Sequence, residues 1–259
     1  MIVDKHISII RLLAIIWPNL LRMTALATII VTAIVQLDLG AYTIDMTTPL
    51  ILGTAISIFL GFRTNSAYER WFDARRSWGS MRAGSRNLSF ILSRVGEDYT
   101  NRNTGKKSAL AAKVMPNMIR RNIAWLWILG RQLKRLPALE GAERLLSKDD
   151  LAAIRDTHNP ALKLLYLQSR DFRRMQAEGQ FYDGEHFEIV KIQGDLVSQQ
   201  TSCEGLSNTP FPTHYTYFTK VFIWLLLVLL SLSMPGEEAV SYLAIPGVVL
   251  IGWIFFMVE

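Results

Sequence analysis

Ile58-Phe59-Leu60-Gly61-Phe62-Arg63-Thr64-Asn65-Ser66-Ala67-Tyr68-Glu69-Arg70-Trp71-Phe72-Asp73-Ala74-Arg75 is where an apolar run turns into a charged one without a break. Upstream, the window between Asp45 and Arg63 carries no charge; downstream, Ser66 to Arg94 contains no proline, and Gly79 and Gly84 are its only weak points. Nothing in this stretch stops a helix. A helix from Pro49 to Arg94 would be about 69 Å long at 1.5 Å per residue, roughly twice the hydrocarbon thickness of a bilayer. Such a helix would run on from a membrane span well into the charged segment that follows.

Three further windows lack charge: Met23–Leu37, the stretch between Lys220 and Glu237, and the stretch between Glu238 and Glu259. A lipid-exposed span needs about 20 apolar residues, and only the fourth window reaches that alone. The first gains length from Trp17–Leu21 with Arg22 snorkelling, and the third from Tyr215, Tyr217 and Phe218. The second is short and rich in small and hydroxylated residues (Gly53, Thr54, Ala55, Ser57), which suit close helix packing or a water-filled lumen. Only 19% of the 259 residues are charged, against about 25% in soluble domains. The missing charge is concentrated in these windows, a pattern of spans around a soluble insert.

Lysine and arginine set the orientation. The loops Asp38–Thr48 and Pro235–Glu238 carry none, whereas Arg63–Thr209 holds most of them and Lys5, Arg11 and Arg22 precede the first window. Both termini and the insert are therefore expected in the cytoplasm, in a multi-pass protein of the plasma (inner) membrane. The N-terminus shows no clear cleavage site, so the first apolar segment is expected to stay. The one cysteine, Cys203, forms no disulfide within the chain. The net charge of +6 is compatible with anionic lipid; the apolar windows make membrane lipid, not nucleic acid, the expected partner.

The insert, residues 64–209, reads as helical, with apolar residues at helical spacing through Trp71, Trp78, Leu88 and Leu92, then Ile119, Ile123, Leu126 and Leu133. Breaks are expected at Asn101–Gly105, Pro137, His158-Asn159-Pro160 and Tyr182-Asp183-Gly184, and a helix start at Ser147 with Asp150 three residues on. Gly205 reads as a turn residue, and Arg70 as a partner for Asp73 or Glu69. The four tryptophans Trp71, Trp78, Trp125 and Trp127 read as core or interface-belt residues. His158, His186 and His214 have no metal-ligand spacing. There is no phosphate loop, no Ser-His-Asp elbow and no His-Glu-x-x-His, so no catalysis is expected.

Residues 58–75 resemble the second helix of the bestrophin family, with its Leu-Gly-Phe, its Arg-Thr-Asn-x-x-Tyr and its aromatic pair after arginine. Cys203-Glu204-Gly205-Leu206-Ser207-Asn208-Thr209-Pro210-Phe211-Pro212 resembles the family's Cys-Glu turn before the third span. Order and spacing agree from about residue 20 to the end. The resemblance implies an all-α membrane protein, a homopentamer of four-span subunits with a cytoplasmic helical bundle. The segments are then residues 1–22, N-terminal and cytoplasmic; 23–63, the first two spans and the neck; 64–209, the cytoplasmic helices; and 210–259, the last two spans.

The resemblance further implies a passive channel for small inorganic ions, chloride by the family name. It implies a neck of three residues one turn apart, here Thr54, Ile58 and Phe62, where the family usually has an apolar residue in place of Thr54. It implies a cytoplasmic aperture at Gly184, with Phe181 and Phe187 as alternatives three residues to either side. Asp183, Glu185 and Glu188 near that exit would attract cations or simply form a solvated helix start. Eukaryotic members bind calcium just after the fourth span, where this chain stops; no calcium ligand, other metal or cofactor is assigned. The acidic outer loops fit a cation-permeant channel instead, and a non-conducting membrane scaffold is the competing reading from another class.

Overall fold

The computed structural model describes residues 9–98, 109–179, 181, 183–209, 213–234 and 238–258. Among them the secondary structure is helical throughout: α1 (Ile9–Gln36), a 3-10 turn (Leu39–Tyr42), α2 (Thr47–Asp98), α3 (Ala109–Leu133), α4 (Lys148–Arg155), α5 (Pro160–Ala177), α6 (Asp183–Asn208), α7 (Thr213–Leu232) and α8 (Glu238–Val258). The sequence features at 101–105, Tyr182, 210–212 and 235–237 lie outside the described residues. Two compact units form, one within Met1–Glu69 and Phe211–Glu259, the other within Arg70–Pro210.

The uninterrupted run after Phe62 gives one 52-residue helix, α2. Its start is fixed by Asp45, whose Oδ1 accepts from the Thr47 backbone N–H and from the Thr47 hydroxyl, each at 2.8 Å. Those two donors, the backbone N–H first, hold the Asp45 carboxyl below its ordinary range.

In the first unit α1, α7 and α8 pack on one another and on the first part of α2. Met23, Ala27 and Val31 recur every four residues on α1 and meet Ile56 and Leu60 of α2, Ile223, Leu226 and Leu227 of α7 and Val248 and Val249 of α8. Gly252 permits the close approach of α8: a Cβ there would lie 2.9 Å from Leu227 Cδ1 and 3.6 Å from Met23 Sδ. Among the described residues four helices are long and apolar enough to cross a membrane, over Trp17–Gln36, Thr47–Val95, His214–Leu232 and Val240–Val258. The third reaches back through Tyr215, Tyr217 and Phe218, as its aromatic run suggested.

The second unit closes its core with Leu88 and Leu92 of α2, Trp125, Ile128 and Leu129 of α3, Leu164 and Phe172 of α5, and Ile189 and Leu196 of α6. Ser147 caps α4 by accepting from the Asp150 N–H, and Asn159 caps α5 by accepting from the Leu162 N–H, with Pro160 in the first turn. Buried Arg121 grips Asp150 through Nη2 at 2.7 Å and Nε at 3.2 Å, and Asp171 through Nη1 at 2.7 Å. Trp125 sits in the core and donates its indole N–H to Gln200 Oε1 at 2.8 Å, whereas half-exposed Trp127 donates to the Glu140 carbonyl at 2.9 Å.

Two expectations are corrected here. Gly205 is not in a turn: it lies in the last turns of α6, and its carbonyl accepts from the backbone N–H and the hydroxyl of Thr209. Arg70 donates to the Leu206 carbonyl, not to Asp73 or Glu69. Leu206 belongs to the final turn of α6, whose carbonyls lack partners within the helix, and a guanidinium supplies one.

Candidate pore-lining face

At 3.6 residues per turn, Leu60 lies about 40° round α2 from Ile56, whereas Thr54, Ile58 and Phe62 lie about 160°, 200° and 240° from it. Ile56 and Leu60 are 2% and 3% exposed in the core of the first unit. Ile58 and Phe62, on the far side, are 57% and 72% exposed, and Thr54 is exposed as well. The three side chains thus share the face that the subunit leaves uncovered. Exposed apolar side chains within a span face lipid, a neighbouring subunit or a lumen, as Ile29 and Leu243 also do in this subunit. What marks the α2 stripe is the small and hydroxylated residues beside it, Gly53, Thr54, Ala55 and Ser57, which make a poor lipid-facing surface.

The neighbours on the core side are held by α7. Phe59 stacks on Tyr215 with ring centroids 5.7 Å apart and planes inclined by 20°. Arg63 turns its guanidinium the same way and donates from Nη2 to Thr216 Oγ1 at 3.0 Å. The Thr54 hydroxyl donates its proton back to the Leu50 carbonyl at 2.8 Å. It therefore offers outward only oxygen lone pairs.

Gly184 stands in the first turn of α6 and is exposed, with nothing within 4 Å of a Cβ built there. Of its two alternatives, Phe181 is buried at 1% exposure and meets Phe172 edge-on at 6.0 Å, whereas Phe187 is exposed. Glu185 accepts from Arg94 Nη2 at 3.2 Å, so part of the acidity near Gly184 is balanced by α2. Among the described residues no group of three or more His, Cys, Asp or Glu side chains gathers as a metal ion would require.

One residue on the uncovered face escaped the sequence reading except as a partner for Arg70. Glu69 accepts from Asn65 Nδ2 at 2.8 Å, and both are exposed. The signal that finds it is the register itself, continued two turns beyond Phe62.

Comparison with known proteins supplies the rest. The sequence matches the family described as "Bacterial/Fungal Bestrophin protein" over residues 7–259. It is 28% identical over 184 residues to the voltage-dependent anion channel-forming protein YneE of Salmonella typhi, covering 71% of this chain and 56% of that one. It is 26% identical over 217 residues to the voltage-dependent anion channel-forming protein alr2987 of Nostoc, covering 81% and 66%. The chain thus spans little more than half the length of the Salmonella relative. The fold is that of a crystallised bacterial bestrophin homologue from Klebsiella pneumoniae, at TM-score 0.78 with 23% identity over 92% of this chain and 84% of that one.

Proposed function

Because the chain belongs to the bacterial and fungal bestrophin family, we propose that it is a passive ion channel, a homopentamer whose axis is lined by the first part of α2. The observation that carries this reading is the uncovered stripe Thr54, Ile58 and Phe62 within a span, opposite the subunit's own core. Five copies make three stacked rings, the inner two apolar. Water leaves a narrow apolar ring because the wall cannot replace its hydrogen bonds, and the rings gate by dewetting. The Thr54 ring, presenting oxygen lone pairs, stays wet and marks the outer end of the dry stretch.

The conducted species are small monovalent ions, chloride and other anions first. Support comes from the names of the Salmonella and Nostoc relatives. The protein sits in the inner membrane with both termini and residues 64–209 in the cytoplasm, following the distribution of Lys and Arg. Gly184 stands at the cytoplasmic aperture, where five glycines leave the exit wide. The family and the absence of catalytic motifs support a conduit, not an enzyme.

Purified protein in liposomes tests this. Flux of small ions, with a reversal potential in asymmetric NaCl displaced toward chloride, is the expected result. A sealed, non-conducting assembly would instead make the protein a membrane scaffold.

A further inference from the structure

The stripe that begins at Thr54 does not end at Phe62. Glu69 lies about 20° round α2 from Phe62 and about 10 Å further along its axis, and Asn65 lies between them on the same side. The Asn65 amide donates to Glu69 Oε1 at 2.8 Å, an i, i+4 pair that lays the carboxylate along this face. The two arginines nearest in sequence are turned elsewhere: Arg63 donates to Thr216 Oγ1 and Arg70 to the Leu206 carbonyl, each at least about 100° round the helix from Glu69. From Thr54 to Glu69 the stripe therefore presents one acid and no base.

We infer that Glu69 is a charge-discriminating residue of the pore: its five copies ring the lumen just inside the neck and raise the sodium-to-chloride permeability ratio above what the uncharged neck alone would give, so that chloride preference is moderated, not set, at this level. The inference rests on the proposal that this face of α2 lines the pore. Its physical basis is general. A ring of like charges in a confined lumen with low-dielectric walls shifts the local concentrations of the two ion signs in opposite directions. The effect is a property of the open path, separate from the dewetting barrier at Ile58 and Phe62, so it alters selectivity more than opening.

The test uses the full chain in planar bilayers under a tenfold NaCl gradient, comparing the parent with Glu69→Gln, Glu69→Lys and Glu69→Asp. The sodium-to-chloride permeability ratio should fall roughly threefold or more in Glu69→Gln, further in Glu69→Lys, and remain near the parent value in Glu69→Asp. The shift should shrink at high ionic strength as the ring is screened. Phe62→Cys, probed with a charged thiol reagent, separates the two levels of the reading, since the native Cys203 is buried. Block at Phe62→Cys with an unchanged permeability ratio in Glu69→Gln and Glu69→Lys would overturn the role of Glu69 and leave the pore face standing. No block at Phe62→Cys, together with unchanged ratios, would overturn the pore face itself. Size-exclusion profiles matching the parent confirm that assembly is common to all variants.

Discussion

Alanine substitutions on opposite faces of α2 should separate conduction from folding. The perturbation is a matched pair of double variants, Ile58→Ala with Phe62→Ala on the uncovered face and Ile56→Ala with Leu60→Ala on the core face. Full burial of such side chains is worth about 1.5–3 kcal/mol. Ile58 and Phe62 are 57% and 72% exposed in the subunit, so truncating each removes about 1 kcal/mol or less of the subunit's own packing. Ile56 and Leu60 are 2% and 3% exposed, and each truncation there leaves a cavity costing about 2–5 kcal/mol. For the ion the balance is reversed. Crossing a dry ring costs several kcal/mol of hydration even in a partly wet site, and each 1.4 kcal/mol or so of barrier removed raises flux about tenfold. The neck variant should therefore conduct about ten times more than the parent or better, with a thermal unfolding temperature close to it and an ion preference little changed, because no charge is altered. The core variant should lose folded protein and leave the unit conductance of the remainder intact. Thr54→Ile should lengthen the dry stretch by one turn and reduce flux. Single-channel recording beside circular-dichroism melts in detergent reads both quantities. Equal currents from the parent, the neck variant and Thr54→Ile at matched protein levels would refute the assignment of this face.

Gly184→Ile should assemble normally, because nothing lies within 4 Å of the new Cβ, and should lower conductance or change ion preference; unchanged conductance in a folded assembly would put the aperture elsewhere. Arg121→Met should destabilise the protein by about 3–5 kcal/mol, read as a large fall in unfolding temperature, because Asp150 then stays buried without its guanidinium. Burial, and secondarily the negative charge of Glu204, pushes the Cys203 thiol above its ordinary range. Its thiolate therefore forms only at pH values above those at which a free cysteine ionises, and alkylation of the native protein at pH 8 should be slow and become fast in denaturant; rapid native-state labelling at pH 8 would contradict the buried position.

Much of this architecture is legible in the chain because its causes are local. The charge-free windows, the proline-free passage from Ser66 to Arg94, the cap at Ser147 and the break at His158-Asn159-Pro160, where α5 begins, each depend on neighbours within a few positions, and the helices follow them. What escaped depends on distant partners. Arg70 reaches a carbonyl 136 residues away, and Arg121 binds carboxylates 29 and 50 residues on; no periodicity announces either. Gly205 misled because glycine near a helix end so often terminates it, whereas here Thr209 closes the last turn by capping the Gly205 carbonyl. The candidate neck was legible only through the family resemblance, since Ile58 and Phe62 would be ordinary packing residues in most helices. The structure adds that the subunit's own core does not use them, as the proposed neck requires.

That division of α2 has an evolutionary corollary. A folded chain holds a margin of only about 5–15 kcal/mol, and most changes to a buried residue draw on it. Substitutions at positions 56 and 60 therefore draw on that margin, while changes of size and polarity at positions 54, 58 and 62 cost the subunit's own fold little. On the proposed pore face, permeation can therefore be retuned by single substitutions, without first accumulating stabilising mutations elsewhere, and undone by direct reversion.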